Sequence, residues 1–168
     1  MSDVQSTTVD SPIGTLVLEA DDDVLLAIRL PGSRPRPPGA ARRVTSRTGT
    51  RRTSTALSAT RRQLEEYFAG RRRRFDIPLS VSGTDFQCDV WRSLAEIPYG
   101  AVVSYAELAE MVGRPTAFRA VGQANGANPI PIVLPCHRVV ATGGRIGGYG
   151  GGLPMKRRLL ALEGVTGL

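Results

Sequence analysis

Hydrophobic and polar positions divide this chain into two halves with different periods. In the first, Thr7 to Asp10 alternates and meets a turn signal at Ser11-Pro-Ile-Gly14. Thr15 to Glu19 then alternates again, and Val24 to Leu30 forms a third apolar run after the Asp21-Asp22-Asp23 corner. Alternation broken by Pro, Gly and Asp predicts a β-hairpin extended by a further strand. From Pro31 to about Thr53 the chain is rich in Pro, Gly and Arg and has almost no apolar periodicity, which reads as a long mobile loop. The period changes to a helical one at about Ser54, where Leu57, Leu64, Tyr67 and Phe68 share one face and Gly70 supplies a stop. Arg71 to Arg74 reads as a solvated tail of that helix, and Phe75 to Val81 as a connector or strand.

The second half is mainly helical. Thr84-Asp-Phe-Gln87 has the form of a capping box, followed by Phe86, Val90 and Leu94 on one face and a stop at Pro98. Ser104-Tyr-Ala-Glu107 repeats the box, starting a helix that turns Leu108, Ala109 and Val112 inward and halts at Gly113. A third helix is predicted from about Thr116 to Ala124. Two short helices around a Gly/Pro turn fit a helix-turn-helix, and equally an ordinary αα-corner. Three prolines (Pro129, Pro131 and Pro135) punctuate the apolar run Ile130 to Leu134. Proline lacks an N–H, so this run is predicted to be an extended, rigid connection and not a helix interior or central strand. Val139 to Ile146 reads as a hairpin with Gly143-Gly144 at its tip, and Pro154 to Leu162 as a last helix. The pattern predicts an α+β chain with a small α/β domain over residues 1–82 and a mainly α domain over 83–168.

Composition narrows this picture only a little. The 168 residues are 41% hydrophobic, enough for a core, and no stretch approaches the roughly 20 apolar residues that cross a bilayer. The N-terminal Met-Ser-Asp-Val-Gln lacks the layout of a secretion signal, so a cytoplasmic protein is expected. The net charge of +7 suits a polyanion, but most of the excess sits outside the half that carries the motifs. Residues 1–83 hold 14 Lys+Arg against 9 Asp+Glu, and residues 84–168 hold 8 against 6. Charge is thus a weak argument for nucleic acid.

The candidate chemistry lies just after the proline-rich run, where Cys136 stands beside His137, the only histidine of the chain. A thiol acts as a nucleophile in its thiolate form, and a neighbouring base is the usual means of making one near neutral pH. A cysteine after an apolar run is also a common small core residue, and neighbours on an extended chain point to opposite faces. The second cysteine, Cys88, has no adjacent base. Two cysteines and one histidine make no metal-type spacing, so free thiols and no metal site are expected.

Pro135-Cys-His-Arg-Val139, with Asn128-Pro129 before it and Gly148-Tyr-Gly-Gly151 after it, resembles the active-site segment of the O6-alkylguanine-DNA alkyltransferases. The resemblance runs in order through Gly83-Thr-Asp-Phe-Gln87, Ile97-Pro-Tyr-Gly100, Ser104-Tyr105, Arg119-Ala-Val-Gly122 and Leu162-Glu-Gly164, about half of the chain. The N-terminal part is similar mainly at Ser11-Pro-Ile-Gly14. The resemblance implies a ribonuclease-H-like N-terminal domain and a winged helix-turn-helix C-terminal domain that repairs alkylated duplex DNA. One alkyl group passes from guanine O6, less readily from thymine O4, to Cys136, with no cofactor and one turnover per molecule. By position, His137 is the general base acting through a water, Glu163 its orienting carboxylate, and Asn128 the residue tying the thiol network to the preceding helix. Tyr105 pushes the phosphate and donates to the base. Arg119 fills the space left by the flipped nucleotide, on a helix whose small residues, including Ala120 and Gly122 and running to Asn125, allow a minor-groove approach. Pro131, Val139, Tyr149 and Gly150 are assigned to the base pocket, with Lys156 in reach. Gly150 stands where some relatives have serine, which removes a hydroxyl contact. The ligands of the zinc site that some members carry are missing. The resemblance further implies a monomer at the nucleoid.

Two rivals differ in class. A non-catalytic relative would flip damaged bases and flag them, but such relatives replace the cysteine that stands here at 136. A Cys-His acyl hydrolase would place its Cys and His far apart in sequence, and no such signature occurs.

Overall fold

The structure is a computed structural model, and it describes residues 4–21, 23–33 and 54–168. The N-terminal half is a three-stranded meander with one helix against it. Strands β1 (Gln5–Ser11), β2 (Gly14–Ala20) and β3 (Leu25–Arg29) pair antiparallel in the order β1-β2-β3. Alternation decides the inner face in β1 and β2, where Val9, Leu16 and Leu18 are buried, and in β3 Leu25 and Ile28 share that face because an extra residue separates them at the register shift. Between Glu19 and Ala20 the β2–β3 register shifts. Helix α1 (Thr55–Phe68) covers this face with Leu57, Leu64 and Tyr67, its N-terminus capped by the Ser54 hydroxyl. Leu79 makes a parallel bridge to Leu25, so the connector after α1 returns along the free side of β3. The reading of Pro31 to Thr53 as a mobile loop falls, from residue 34 onward, outside the described residues.

The arginine run after α1 is only partly the solvated tail expected. Arg72 pairs with Glu66 at 2.6 Å, and the Arg73 guanidinium lies 5.3 Å from the centre of the Tyr99 ring. The first anchor is local to the end of α1, whereas the second arises because the chain packs against the second half, which sequence spacing does not reveal.

In the second half both capping boxes are present. They open α2 (Asp85–Leu94) at Thr84/Gln87 and α3 (Tyr105–Met111) at Ser104/Glu107, the latter just after the short β4 (Val103–Ser104). The next helix, α4 (Phe118–Gly126), begins two residues later than the pattern predicted, because Ala117 offers no side-chain cap and the preceding turn takes Thr116. The Trp91 indole N–H donates to the Ala124 carbonyl at 2.9 Å and fastens α2 to α4.

The proline-rich run departs from the extended reading. Residues 131–134 close into a tight turn with Ile132 at φ 75°. That is an unfavourable region for a β-branched residue, sustained here by its surroundings. Asn128 staples the turn from both sides: its Oδ1 accepts from Ile130 N at 2.9 Å and its Nδ2 donates to Leu134 O at 2.7 Å. The segment Cys136–Arg138 is a single 3-10 turn, so Cys136 and His137 are not opposed as on a strand. The predicted Val139–Ile146 hairpin is present in shortened form. Val139 and Val140 form β5 (Val139–Val140), parallel to β4, and only Ala141 and Arg145 bridge across Gly143-Gly144. Two successive buried valines suit a strand covered on both faces, so the exposed part of the hairpin begins only after Val140. Helix α5 (Leu153–Leu162) completes the fold.

The halves meet through specific bonds. The Ile28 amide donates to the Pro129 carbonyl at 3.0 Å, Arg158 reaches the Pro12 carbonyl, and Tyr67 reaches Glu163. The sheet is therefore a wall of the second half's central cleft.

Candidate active site

The 3-10 turn after Pro135 delivers three buried side chains in succession. Cys136, His137 and Arg138 are 6%, 0% and 6% exposed. The Cys136 amide bonds the Leu134 carbonyl at 2.8 Å, which binds this turn to the strained one before it. Beside the thiol opens a cleft of about 1040 Å³, lined by Tyr105, Gly122, Asn128, Pro131, Tyr149 and Gly150 and closed on the far side by β3.

Glu163, at the end of α5, receives most of the donors behind the thiol. Its Oε1 lies 2.7 Å from His137 Nε2, accepts the Tyr67 hydroxyl at 2.7 Å and accepts Arg138 Nη2 at 2.9 Å. Its Oε2 accepts Arg138 Nε at 2.8 Å and the Gly100 amide at 3.4 Å. Burial alone would raise the Glu163 carboxyl, but the hydrogen bonds from His137 and Arg138 prevail and hold it down at about 2. An ionised Glu163 at 2.7 Å requires His137 Nε2 to carry the hydrogen. Burial keeps the imidazole below its ordinary value, so it is neutral with a lone pair on Nδ1. That atom is fully buried and has no protein partner among the described residues. A buried acceptor of this kind is what a base looks like before it acts.

The thiol is held back in the resting state. Burial pushes Cys136 up to about 11, opposed by a hydrogen bond from Asn128 and by the Lys156 charge. It is therefore a protonated thiol until a base takes the proton, and Asn128 and Lys156 then favour the anion. Lys156 sits behind the cleft wall, fully buried, and donates to Val139 O and Ile146 O at 2.6 Å and to Gly148 O at 3.0 Å. Three acceptors require the protonated amine, although burial lowers it to about 8. The ammonium thereby secures the glycine-rich segment. At Gly147, with φ 72°, an added Cβ would lie 3.1 Å from the Ala141 amide nitrogen and 3.3 Å from the Tyr105 hydroxyl, so only glycine fits.

The sequence-derived candidates separate into three groups. Cys136, His137, Glu163 and Asn128 come together at the thiol, and Tyr105, Pro131, Tyr149 and Gly150 line the cleft with them. Val139 and Lys156 are fully buried behind the wall and do not line it. Arg119 and Ala120 are exposed on the outer face of α4, with Arg119 5.9 Å from the ring centre of the exposed Phe118. Gly122 meets the cleft from the same helix. Asn125, read with that outer face, is 5% exposed and turns inward, its amide 3.5 Å from the Cys136 carbonyl. The helical period places it on the side of Val121 and Ala124, away from Arg119.

Two members of the network were not found from sequence. Arg138 stands in a run of buried apolar residues, and such a cation implies a buried carboxylate partner. Tyr67 was read as a core residue by its period alone, but a buried tyrosine hydroxyl also needs a partner.

The fold and site define a class: a two-domain chain whose helix-turn-helix half holds a thiol, a neutral imidazole and a carboxylate at the base of an open cleft. Residues 85–165 match the DNA binding domain of 6-O-methylguanine DNA methyltransferase, and residues 4–81 match the ribonuclease-like domain of the same proteins. The methylated-DNA--protein-cysteine methyltransferase of Mycolicibacterium paratuberculosis is 49% identical over 160 residues, covering 95% of this chain and 92% of its own. The crystal structure of Mycobacterium tuberculosis OGT in complex with DNA is similar with a TM-score of 0.79 and 47% identity, over 93% of this chain and 90% of that one. The O6-methylguanine methyltransferase of the same organism gives a TM-score of 0.80 at 46% identity, over 95% and 92%. This chain belongs to the 6-O-methylguanine DNA methyltransferase family.

Proposed function

We propose that this protein repairs alkylated DNA by moving the alkyl group from guanine O6 to its own Cys136, once per molecule. The observation that carries the reading is the relay behind the thiol: an ionised Glu163, a neutral His137 bonded to it at 2.7 Å, and a buried, unpaired Nδ1. In the reaction, His137 Nδ1 takes the thiol proton through one intervening water, and the sulfur attacks the alkyl carbon. The bond from that carbon to O6 breaks as the new S–C bond forms, and its electron pair leaves on the purine. Tyr105, whose hydroxyl burial raises above its ordinary value, donates to that purine and makes it a better leaving group. Glu163 stabilises the imidazolium produced, as the third member of a triad does. A thioether offers no hydrolysable bond, so the protein is consumed.

The partner is double-stranded DNA, entered from the minor groove by α4. The alkylated base leaves the stack and enters the cleft, at a cost of a few kcal/mol for unstacking and unpairing. Arg119, exposed on the outer face of α4, takes its place, and the small Ala120 and Gly122 permit the close approach. A monomer suffices, since one chain carries every group named, and the cytoplasm at the nucleoid is the compartment where that substrate lies. No cofactor enters, because damaged DNA itself supplies the alkyl group. A thymine O4 adduct would take the same course less readily.

A sensor that binds and flags the lesion would not need the thiol, so the presence of Cys136 within the relay favours transfer. The test is to incubate the protein with duplex containing O6-methylguanine and weigh it. One S–H converted to S–CH3, on Cys136 alone, is the expected product. Binding without a mass change would support the sensor, and repeated turnover would exclude a single-use acceptor.

A further inference from the structure

We infer that Tyr67, a residue of the N-terminal half, is a positioning residue for the transfer, holding the Glu163 oxygen that orients His137. The inference rests on the function proposed above. It gives the N-terminal half a direct part in the chemistry of a site otherwise built from the C-terminal half.

The geometry is specific. Tyr67 lies near the end of α1, fully buried, and its hydroxyl donates to Glu163 Oε1 across 96 residues of sequence at 2.7 Å. That oxygen is also the one at 2.7 Å from His137 Nε2. Three aromatic neighbours hold the ring: Phe68 edge-on at 5.2 Å, Phe75 tilted at 5.4 Å and Tyr99 edge-on at 6.2 Å between centroids. With the ring fixed, the hydroxyl has little freedom to leave the carboxylate. Burial and the neighbouring Glu163 charge raise the Tyr67 hydroxyl far above its ordinary value, so it remains a donor at any working pH.

His137 feels Tyr67 because the two share one acceptor. A carboxylate oxygen that accepts several hydrogen bonds has its charge divided among them. Withdrawing one donor leaves more of the charge for the others. The remaining groups facing the pair are Cys136 and Arg138 on the 3-10 turn, Lys156 on α5, and Tyr149 in the glycine-rich segment; Tyr99 packs on Arg138, with Arg73 beyond it. None of these replaces the Tyr67 bond, since Arg138 already spends its donors on Glu163 and the Ile97 carbonyl.

Tyr67→Phe removes the bond and keeps the ring that packs the core. On its acid limb the rate of transfer from O6-methylguanine duplex, measured in single turnover, should fall by up to roughly tenfold for each pH unit that the limb moves, because an imidazole already protonated cannot accept the thiol proton. Its acid limb should move to higher pH as the imidazole becomes more basic. The single histidine allows that basicity to be read directly, by nuclear magnetic resonance titration of His137 in full-length protein. Tyr99→Phe serves as the control, because it removes a neighbouring half-buried hydroxyl that bonds the Leu162 carbonyl at 3.0 Å and not the carboxylate. It should leave the His137 titration in place. An unchanged rate profile and an unchanged His137 titration in Tyr67→Phe would overturn the inference. So would an equal shift in Tyr99→Phe, which would mean that packing alone is at work. Wild-type protein that fails to transfer at all would instead defeat the proposed function, so the two failures are told apart.

Discussion

Replacing Glu163 by glutamine keeps the side chain's shape, removes its charge and leaves its donors without a full set of acceptors. The carboxylate accepts from His137, Tyr67 and twice from Arg138, all between 2.7 and 2.9 Å. Glutamine offers one oxygen and an NH2 group, and that NH2 must face a donor from Arg138, Tyr67 or His137. The larger effect falls on Arg138, whose side chain is 7% exposed and would lose its counter-charge. Removing one partner of a buried ion pair costs about 3–5 kcal/mol. At about 2–4 °C per kcal/mol for a chain of this size, melting should drop by about 6–20 °C. Denaturant unfolding of Glu163→Gln measures the loss, and Glu163→Gln/Arg138→Met tests its origin. With the stranded cation replaced by an apolar side chain, the double variant should recover at least half of the lost stability while still transferring poorly, because His137 has lost its orienting charge. A single variant within about 1 kcal/mol of wild type would refute the ionised, charge-paired carboxylate derived above. A double variant no more stable than the single one would show that the loss does not lie in the unpaired guanidinium.

Other consequences are open to direct measurement. Because Glu163 is held near 2 against an ordinary 4.5, its stabilisation is complete above pH 4.5 and is lost as pH falls toward 2. That amounts to about 3 kcal/mol by linkage, and Glu163→Gln should flatten this part of the stability-against-pH curve. Cys136→Ala should bind lesion-bearing duplex and transfer nothing, whereas Arg119→Ala should lose much of the binding and nearly all base flipping, read by a fluorescent base analogue. Lys156→Met leaves three carbonyls, that of Val139 buried, without their donor, so amides around 146–148 should exchange faster with solvent and the thiol should become harder to ionise. At Gly150 an added Cβ would meet nothing within 4 Å, so Gly150→Ser should fold normally, with any change confined to adduct range in competition assays.

Local signals carried much of this architecture because their causes are local. Two capping boxes need only four residues each, and both are formed. Strand alternation in β1 and β2 marks the inner face without reference to anything else. The Cys136-His137 pair and the Asn128 staple also lie within ten residues, and motif resemblance identified them with Glu163 as one set. By contrast, the extended reading of the proline-rich run was wrong for a physical reason. Proline restricts φ at its own position but not at Ile132, whose positive φ is maintained by Asn128 and the packed surroundings. The hairpin after it is shorter than its pattern suggested, since β4 pairs with Val139 and Val140 from 36 residues upstream and leaves only Ala141 and Arg145 to bridge across the glycine tip.

From sequence alone came the two halves, the helices and the starts of those with a side-chain cap, and a nucleophile with its base. Those depend on neighbours along the chain. Tertiary structure alone decided the protonation pattern, because it rests on burial and on partners brought from afar: Arg138 and Tyr67 converging on Glu163, and Lys156 turned inward to three carbonyls. A charge's state is set by everything within a few ångströms of it, and here those atoms come from residues 67 to 163.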